Sequence, residues 1–295
     1  MQKIARSLIV VALGALLGSS PVPTVSTSPG SGDAAYATLA SVYFGDSFRA
    51  APVNATQAGI HDYDTQLGSY SAADYAAQIA RDKRYLAQLD TIDPASLSTR
   101  GALDRTMLAN ALHDDLLLNE TMAQWKHQPD QYVQVASGGV FLLISRNFAP
   151  AAVRLRDAIA REEQIPQLFG PARANLTAVD RDTASIAAED AAGSVDLFAK
   201  TVPLAFAGAG GAATRARFKR STATAVTATK AFAAYLKSRW VAHPAGSYAI
   251  GAANYSARLK YEEGIDMPLD QYLAVGEKAL AQTHAAMVAT AKQID

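Results

Sequence analysis

The chain has 295 residues, and its 27 lysines and arginines balance 27 aspartates and glutamates. Hydrophobic residues make up 49% of the chain and charged residues 18%, a balance that is typical of globular proteins and excludes a disordered one. Cysteine is absent, which excludes disulfide scaffolds, cysteine nucleophiles, iron–sulfur clusters and thiolate zinc sites. Alanine accounts for 62 residues and favours helix.

The first twenty residues have the pattern of a secretory signal peptide. Lys3 and Arg6 precede an apolar run from Leu8 to Leu17, which small residues follow. A membrane span needs roughly twenty apolar residues, so this run is too short to be a stable one. The alternative to a signal peptide is a buried N-terminal helix. Residues 21–32 are predicted to be a disordered leader, because Ser, Pro, Gly and Thr dominate them. We expect a periplasmic or extracellular protein with no stable membrane span after signal cleavage.

Residues 33–295 have helical apolar spacing nearly throughout, which predicts an all-α, or nearly all-α, domain built as an array of helices. The run Val140–Ile144 fits either a short strand or a buried helix. Ser71 and Asp74 have the spacing of a capping box, and Asp115 falls inside an apolar stripe, where we expect it to be buried against a neighbouring helix. The predicted helices cover 33–50, 71–93, 98–126, 150–163, 166–199 with room for a break, 214–241 and 268–295.

An imidazole and two carboxylates lie within four residues, at His61, Asp62 and Asp64, in a predicted loop. Such groups bind metals or act as acid–base pairs, and loops often carry function. The alternative is a structural turn in which the aspartates cap the backbone. We take the three residues as candidates for substrate contact.

Basic residues alone populate the interval between Asp196 and Glu262, which contains ten of them and no acidic residue. One interpretation is a basic helix that packs against the more acidic remainder of the chain. The other is a basic wall that faces an anionic ligand such as a peptide carboxylate, with Arg215 and Arg239 as candidate contacts. Export and a net charge of zero argue against a nucleic-acid partner.

Motifs for common chemistry are missing. The segment Gly208–Ala213 matches the letters of a dinucleotide-binding loop, but it lacks the preceding strand and the acidic residue about twenty positions later. The sequence contains neither His-Glu-x-x-His nor Gly-x-Ser-x-Gly. We therefore assign no catalytic residue and no metal ligand.

Seven short segments follow one another in an order that resembles the domain of unknown function 885 family, over about residues 35–290. These segments are Ala55–Asp64, Leu89–Ser98, Trp125 with Pro129–Tyr132, Phe148–Arg154, Ile165–Pro166 with Ala172–Leu176, Tyr248–Leu259 and Gly264–Ala279. The resemblance implies a fold like the N-terminal half of a helical zinc metallopeptidase. Its members are exported bacterial proteins that carry a His-Glu-rich segment in their far half.

The resemblance implies that this chain is the N-terminal portion of an exported, zinc-dependent, peptidase-like hydrolase. The chain ends at Asp295, before any such His-Glu-rich segment, so we expect it to be truncated, to hold no zinc itself and to be inactive alone. Its expected partner is the missing C-terminal half or a peptide substrate. The alternative is a non-catalytic exported helical protein that binds a peptide or another anionic ligand. The two hypotheses predict different surfaces, because a half-domain exposes a large apolar face and a complete helical protein does not.

Overall fold

A computed structural model describes residues 30–294 of the chain. The predicted signal peptide and residues 21–29 of the predicted leader lie outside these residues. The end of that leader, residues 30–32, packs against the loop near Ser96: the Gly32 N–H donates to the Ser96 carbonyl oxygen at 3.0 Å.

The fold is all-α, as the sequence predicts, and no strand is assigned between residues 30 and 294. Val140–Ile144 is therefore helical. Short 3₁₀ turns occupy Pro94–Ser96 and Gln124–Lys126. The α-helices are α1 (Asp33–Ala50), α2 (Pro52–Gln57), α3 (Ala72–Asp90), α4 (Thr99–Leu116), α5 (Asp130–Ser145), α6 (Ala151–Asn175), α7 (Arg181–Asp196), α8 (Val202–Ala205), α9 (Ala212–Leu236), α10 (Gly251–Glu263) and α11 (Leu269–Ile294). One π turn follows each of α4, α7 and α9, at Leu117–Thr121, Leu197–Thr201 and Lys237–Val241.

The start of α3 is a capping box, as predicted. Ser71 Oγ accepts a hydrogen bond from the Asp74 backbone N–H at 3.2 Å, and Asp74 Oδ2 accepts one from the Ser71 N–H at 2.8 Å. Each side chain thus satisfies a backbone donor that the first helical turn leaves without a partner.

Several predicted boundaries are wrong. α6 continues through Pro166 and Pro171, although the sequence analysis places a helix start at Pro166. The lost proline donors are tolerated because Leu168 and Phe169 are buried in the core beside them. The predicted helix over 98–126 stops early, because Ala123 adopts a left-handed backbone with φ 45°. The predicted set lacks α2, α5, α8 and α10, although the ambiguous run Val140–Ile144 lies within α5.

Two apolar cores organise these helices. The larger core joins α5, α6, α7 and α9, and it includes Phe169 and Phe232, whose rings stack with centroids 4.3 Å apart. The smaller core joins α1, α3 and α4 around Tyr43, Tyr85 and Leu112. α11 contains no buried residue. In the described part of the chain, no helix is long and apolar enough to cross a membrane.

Candidate functional site

A cleft of about 640 Å³ opens between the C-terminal end of α1, the loop over 58–71 and α3, and we name it the α1–α3 cleft. Its volume lies within the range of ligand pockets, which is roughly 300–1,000 Å³. Its lining is rich in polar side chains, among them Arg49, Asn54, Tyr70, Gln78, Arg84 and Asp115.

Asp115 is the residue that α4 contributes to the α1–α3 cleft. Burial raises the pKa of Asp115 to about 7; the charges of Asp82 and Asp114 act in the same direction, and Arg81 opposes them. Asp115 thus faces α3 through Arg81 and Asp82, as expected from its place in an apolar stripe. A carboxyl group with this pKa exchanges its proton near neutral pH.

Asp82 lies on α3, near Asp115 of α4, and is only 1% exposed. Its Oδ1 accepts from Arg81 Nε at 3.2 Å. Burial raises the pKa of Asp82, although Arg81 and a hydrogen bond from the Gln78 side chain lower it in part. One arginine beside two carboxylates leaves an excess of negative charge when both are ionised.

Exposed guanidinium groups lie where α1 and α3 border the cleft. Arg49 Nη1 lies 3.0 Å from Asp46 Oδ1, and Arg84 Nη2 lies 3.6 Å from Asp46 Oδ2. The Tyr85 hydroxyl also donates to Asp46. This hydrogen bond lowers the pKa of the Asp46 carboxyl more than either arginine does. Because the side chains of Arg49 and Arg84 are 67% and 56% exposed and share one carboxylate, they can reach a ligand carboxylate.

The loop over 58–71, one wall of the cleft, is held in place by polar residues of α6. Gln164 Nε2 donates to the Thr65 carbonyl at 2.7 Å, and Asn175 Nδ2 donates to the Tyr70 carbonyl at 2.7 Å. These bonds join residues about a hundred positions apart in the chain. They hold the wall in place before any ligand arrives.

Arg161, also on α6, anchors the same loop inside the protein. Its side chain is fully buried, and its guanidinium donates to the Gly139 carbonyl at 2.5 Å and to Thr56 Oγ1 at 2.6 Å. Arg161 Nη2 lies 3.8 Å from Asp64 Oδ1. Burial lowers the pKa of Arg161 to about 10.

His61 and Asp64, two of the predicted contacts, meet, with His61 Nδ1 2.8 Å from Asp64 Oδ2. Asp64 Oδ1 accepts from the Thr56 hydroxyl at 2.6 Å, so both carboxylate oxygens are already bonded. The His61 ring stacks on Phe148 with centroids 3.7 Å apart and stays partly exposed. Asp62 is exposed on the same turn. This geometry favours the structural alternative for Asp64, and substrate contact by this turn stays a prediction.

Arg215 and Arg239 lie at opposite ends of α9 and its π turn. At a rise of about 1.5 Å per residue, they are roughly 35 Å apart and cannot contact one small ligand together. Arg215 Nη1 donates to the Gly210 carbonyl, and the Arg239 guanidinium lies 3.9 Å from the centre of the Trp240 ring. Neither arginine lines the α1–α3 cleft, and their contact with an anionic ligand stays a prediction.

The acid-free interval packs against acidic residues of α6. Arg217 donates to both oxygens of Glu163, at 2.8 and 2.6 Å, and the Ser221 hydroxyl donates to Glu162 at 2.6 Å. Glu162 is fully buried, and this burial raises its pKa to about 7 although Ser221 and Thr222 donate to it. The contacts support the packing interpretation for this part of α9.

The residues between 30 and 294 do not provide the ligand set of a catalytic zinc. No three of their His, Asp and Glu side chains are grouped so that they could hold a metal ion. A catalytic zinc takes three protein ligands, and both Asp64 oxygens already accept hydrogen bonds from His61 or Thr56. No step through zinc is therefore derived from these residues.

Arg81, Asp82 and Arg84 are missing from the candidates that the sequence supplied. A signal was present, because Asp82 lies seven residues after Tyr75 and seven before Leu89, within the apolar stripe of α3. A carboxylate at such a position is buried or faces a neighbouring helix. Asp115 and Asp82 together would have pointed to the α3–α4 contact.

Comparisons with known proteins concern the family and the fold. A family model described as "Bacterial protein of unknown function (DUF885)" matches residues 52–295. The chain is also similar to a solved structure from Shewanella oneidensis, that of "a putative lipoprotein of unknown function", with 24% identity and a TM-score of 0.75. The match covers 85% of this chain and 46% of that chain, so this chain spans about half its length. No curated protein matches the chain.

Proposed function

The chain belongs to the DUF885 family of bacterial proteins, and we propose that it is the N-terminal, substrate-binding portion of an exported peptidase-like hydrolase. In this proposal the α1–α3 cleft binds a peptide, and hydrolysis requires residues that the chain does not contribute. The zinc chemistry expected from the family resemblance belongs to those further residues.

The observation that carries the proposal is the exposed apolar stripe of α11. Leu273, Leu280, Met287 and Ile294 are spaced seven residues apart and are 61%, 71%, 66% and 80% exposed. Residues at this spacing lie on one face of a helix, and such a face gains stability only when it packs on another apolar surface. The solved relative, of which the chain covers 46%, has enough further polypeptide to supply that surface.

Two observations support export as part of the proposal. The first twenty residues have the basic and apolar pattern of a signal peptide. The solved relative bears the description of a lipoprotein, a class of proteins that leave the cytoplasm. We therefore propose a periplasmic or extracellular location.

A second candidate function is ligand binding without catalysis. The observation in its favour is that the exposed Arg49 and Arg84 line the α1–α3 cleft and are available for a carboxylate. Both candidates therefore share peptide binding. They differ in whether α11 needs a further surface and in whether hydrolysis occurs once that surface is present.

Hydrogen exchange of the full chain tests the role of α11. We expect its amides to exchange with little protection while those of α6 are strongly protected, because no tertiary contact buries α11. Equal protection of α11 and α6 in a monomeric sample would contradict the proposal. As a matched pair, Leu280→Ala should change the free energy of unfolding by less than about 0.5 kcal/mol, and Leu155→Ala in the larger core should lower it by about 2–5 kcal/mol.

A hydrolysis assay completes the test. We expect the purified chain to bind short peptides in the α1–α3 cleft and to leave them intact. Saturable hydrolysis by the chain alone, with or without added zinc, would overturn the requirement for further residues. Peptide binding with no hydrolysis even when the second half of the family fold is added would favour the second candidate.

A further inference from the structure

Three arginines from two helices line the α1–α3 cleft: Arg49 of α1, and Arg81 and Arg84 of α3. We propose that they form a subsite for a carboxylate of the bound peptide, which is either its C-terminal carboxylate or that of an acidic side chain. This inference rests on the proposed function in taking a peptide as the ligand, and it names the group by which the cleft recognises that peptide.

Arg81 is the least exposed of the three arginines, with 15% of its side chain accessible. Its Nε–H donates to Asp82 Oδ1 at 3.2 Å, and between residues 30 and 294 no hydrogen bond uses its Nη1 or Nη2. Asp82 is buried and does not line the cleft, so this bond fixes the guanidinium to the protein and leaves the Nη hydrogens for an acceptor in the cleft. A fixed guanidinium with free hydrogens is suited to a carboxylate, which accepts two parallel hydrogen bonds from it.

Arg84 and Arg49 lie close enough to act with Arg81. Arg84 follows Arg81 by three positions, so the two residues share one face of α3. Arg49 approaches Arg84 from α1, because both contact the carboxylate of Asp46, at 3.0 and 3.6 Å. One carboxylate cannot use all the donors of two guanidinium groups, each of which carries several N–H bonds. Donors from both helices are therefore left for a ligand.

Spare donors, and not an excess of positive charge, distinguish this subsite. Asp74 and Asp115 are the acidic residues that line the cleft. Asp74 Oδ2 already accepts hydrogen bonds at the start of α3, and Asp115, whose pKa burial raises to about 7, is partly protonated at neutral pH. Among residues 30–294 the three arginines form their ion pairs with Asp46 and Asp82 instead. Neither lining carboxylate therefore occupies the guanidinium groups.

The rest of the cleft lining suits the backbone of a short peptide. Asn54, Gln66 and Gln78 carry amide groups, which can both donate and accept hydrogen bonds. The cleft volume of about 640 Å³ is within the range of ligand pockets. We therefore expect the peptide carboxylate at the arginines and the peptide backbone along the amide side chains.

Calorimetric titration of the full chain with three peptides tests the inference. The probe is acetyl-Ala-Ala-Ala with a free C-terminal carboxylate, and the neutral reference is the C-terminal amide of the same peptide. The third peptide, acetyl-Ala-Glu-Ala-amide, carries its only carboxylate on a side chain. At about pH 7 we expect at least one carboxylate peptide to bind about tenfold more tightly than the neutral reference. The peptide that does so identifies the source of the carboxylate, and the same preference for both shows that the subsite accepts either source.

Variants of three arginines test whether the preference arises in the cleft. Arg84→Gln and Arg81→Lys should each lower the preference by about threefold or more, because Arg81→Lys keeps the charge beside Asp82 but loses the planar group that binds a carboxylate. Arg100→Gln, which removes an exposed arginine that pairs with Asp104 and lies outside the cleft lining, should leave the preference unchanged. Circular dichroism checks that each variant folds. Because Arg84 is exposed, Arg84→Gln still decides if Arg81→Lys does not fold.

Each other outcome overturns a defined statement. Equal affinity for the three peptides would overturn the carboxylate subsite and leave peptide binding in place. Binding of none of them would overturn peptide binding in the cleft, and with it the proposed function of the cleft. A preference that survives in both Arg84→Gln and Arg81→Lys would show that the carboxylate binds elsewhere, and an equal loss in Arg100→Gln would reveal a general effect of charge. Either result would overturn the subsite.

Discussion

Arg161 holds the loop over 58–71 through one buried guanidinium. It joins the Gly139 carbonyl, the Thr56 hydroxyl and, at 3.8 Å, the Asp64 carboxylate. A buried charge at such a junction is costly to remove, because the partners that remain have no water to replace it. The stability of the cleft wall therefore depends strongly on this side chain.

Replacement of Arg161 tests that dependence. We expect Arg161→Met to lower the free energy of unfolding by about 3–5 kcal/mol, since the Asp64 carboxylate would lose its nearest buried cation. Arg156→Met, on an exposed face of the same helix, should change it by less than about 0.5 kcal/mol. Urea unfolding of both variants measures the difference, and similar losses would contradict a specific role for Arg161.

The pH dependence of stability tests the buried Glu162. Burial raises its pKa from 4.5 to about 7, so between about pH 4.5 and pH 7 the folded chain binds more protons than the unfolded chain. Its contribution to stability is complete below about pH 4.5, falls as the pH rises towards 7 and is then constant. Glu162→Gln removes this loss, and we expect the variant to be more stable than the unmodified chain by about 1–3 kcal/mol near pH 8 and similar near pH 5.

Glu163→Gln is the matched control for this prediction, because its shift has the opposite sign. The hydrogen bond from Arg217 lowers the pKa of the Glu163 carboxyl. The contribution of ionised Glu163 to folding stability is present above the ordinary pKa of a glutamate and is lost as the pH falls. Thermal unfolding at several pH values measures the difference in stability between each variant and the unmodified chain. This difference should change with pH in opposite directions for the two variants, and a change in the same direction would refute the assignment.

At the scale of elements, α6 is a helix that tertiary packing maintains against its own sequence. Pro166 and Pro171 each remove a backbone donor from its interior. Arg161, Ile165 and Phe169 nevertheless lie in one buried face. The same helix supplies the bonds that fix the cleft wall, so its continuity matters for the site.

Restoring the missing donor should strengthen α6. Pro166 is exposed, so Pro166→Ala costs little packing, and we expect it to raise the free energy of unfolding by about 1–2 kcal/mol. Gly170→Ala, where a new Cβ meets nothing within 4 Å, should raise it by about 0.5–1 kcal/mol and calibrates the gain from helix propensity. A loss of stability in Pro166→Ala alone would show that the proline ring is needed.

At the scale of the whole molecule, the two cores differ greatly in size. The smaller core, around Tyr43, Tyr85 and Leu112, holds together α1, α3 and α4. These helices carry most of the α1–α3 cleft, whereas the larger core holds the helix that braces it. We therefore expect the cleft side to open at lower free energy than the α5–α9 side.

Native-state hydrogen exchange of two core variants tests this order. Leu112→Ala should lower the opening free energy of α1, α3 and α4 by about 2–5 kcal/mol and leave that of α9 nearly unchanged. Leu155→Ala, in the larger core, should lower the protection of α6 and α9, because these helices exchange only when the larger core unfolds. An equal loss in α3 and α9 caused by Leu112→Ala would show that the chain unfolds as one unit.

The sequence by itself determined the features that short-range physics controls. Apolar residues at helical spacing predicted an all-α fold, and the pair Ser71 and Asp74 predicted a helix start, because periodicity and capping act within one or two turns. The turn with His61 and Asp64 was located by the same local reasoning.

Tertiary structure alone decided what depends on distant residues. The course of α6 through Pro166 required the buried face beside it, and the anchoring of Asp64 required Arg161, whose partner Thr56 is 105 positions away. Asp82 and Asp115 influence each other only because α3 packs on α4, and the charge of Arg81 acts on both. Burial and ionic partners are set by which helices meet, and local sequence patterns do not encode that.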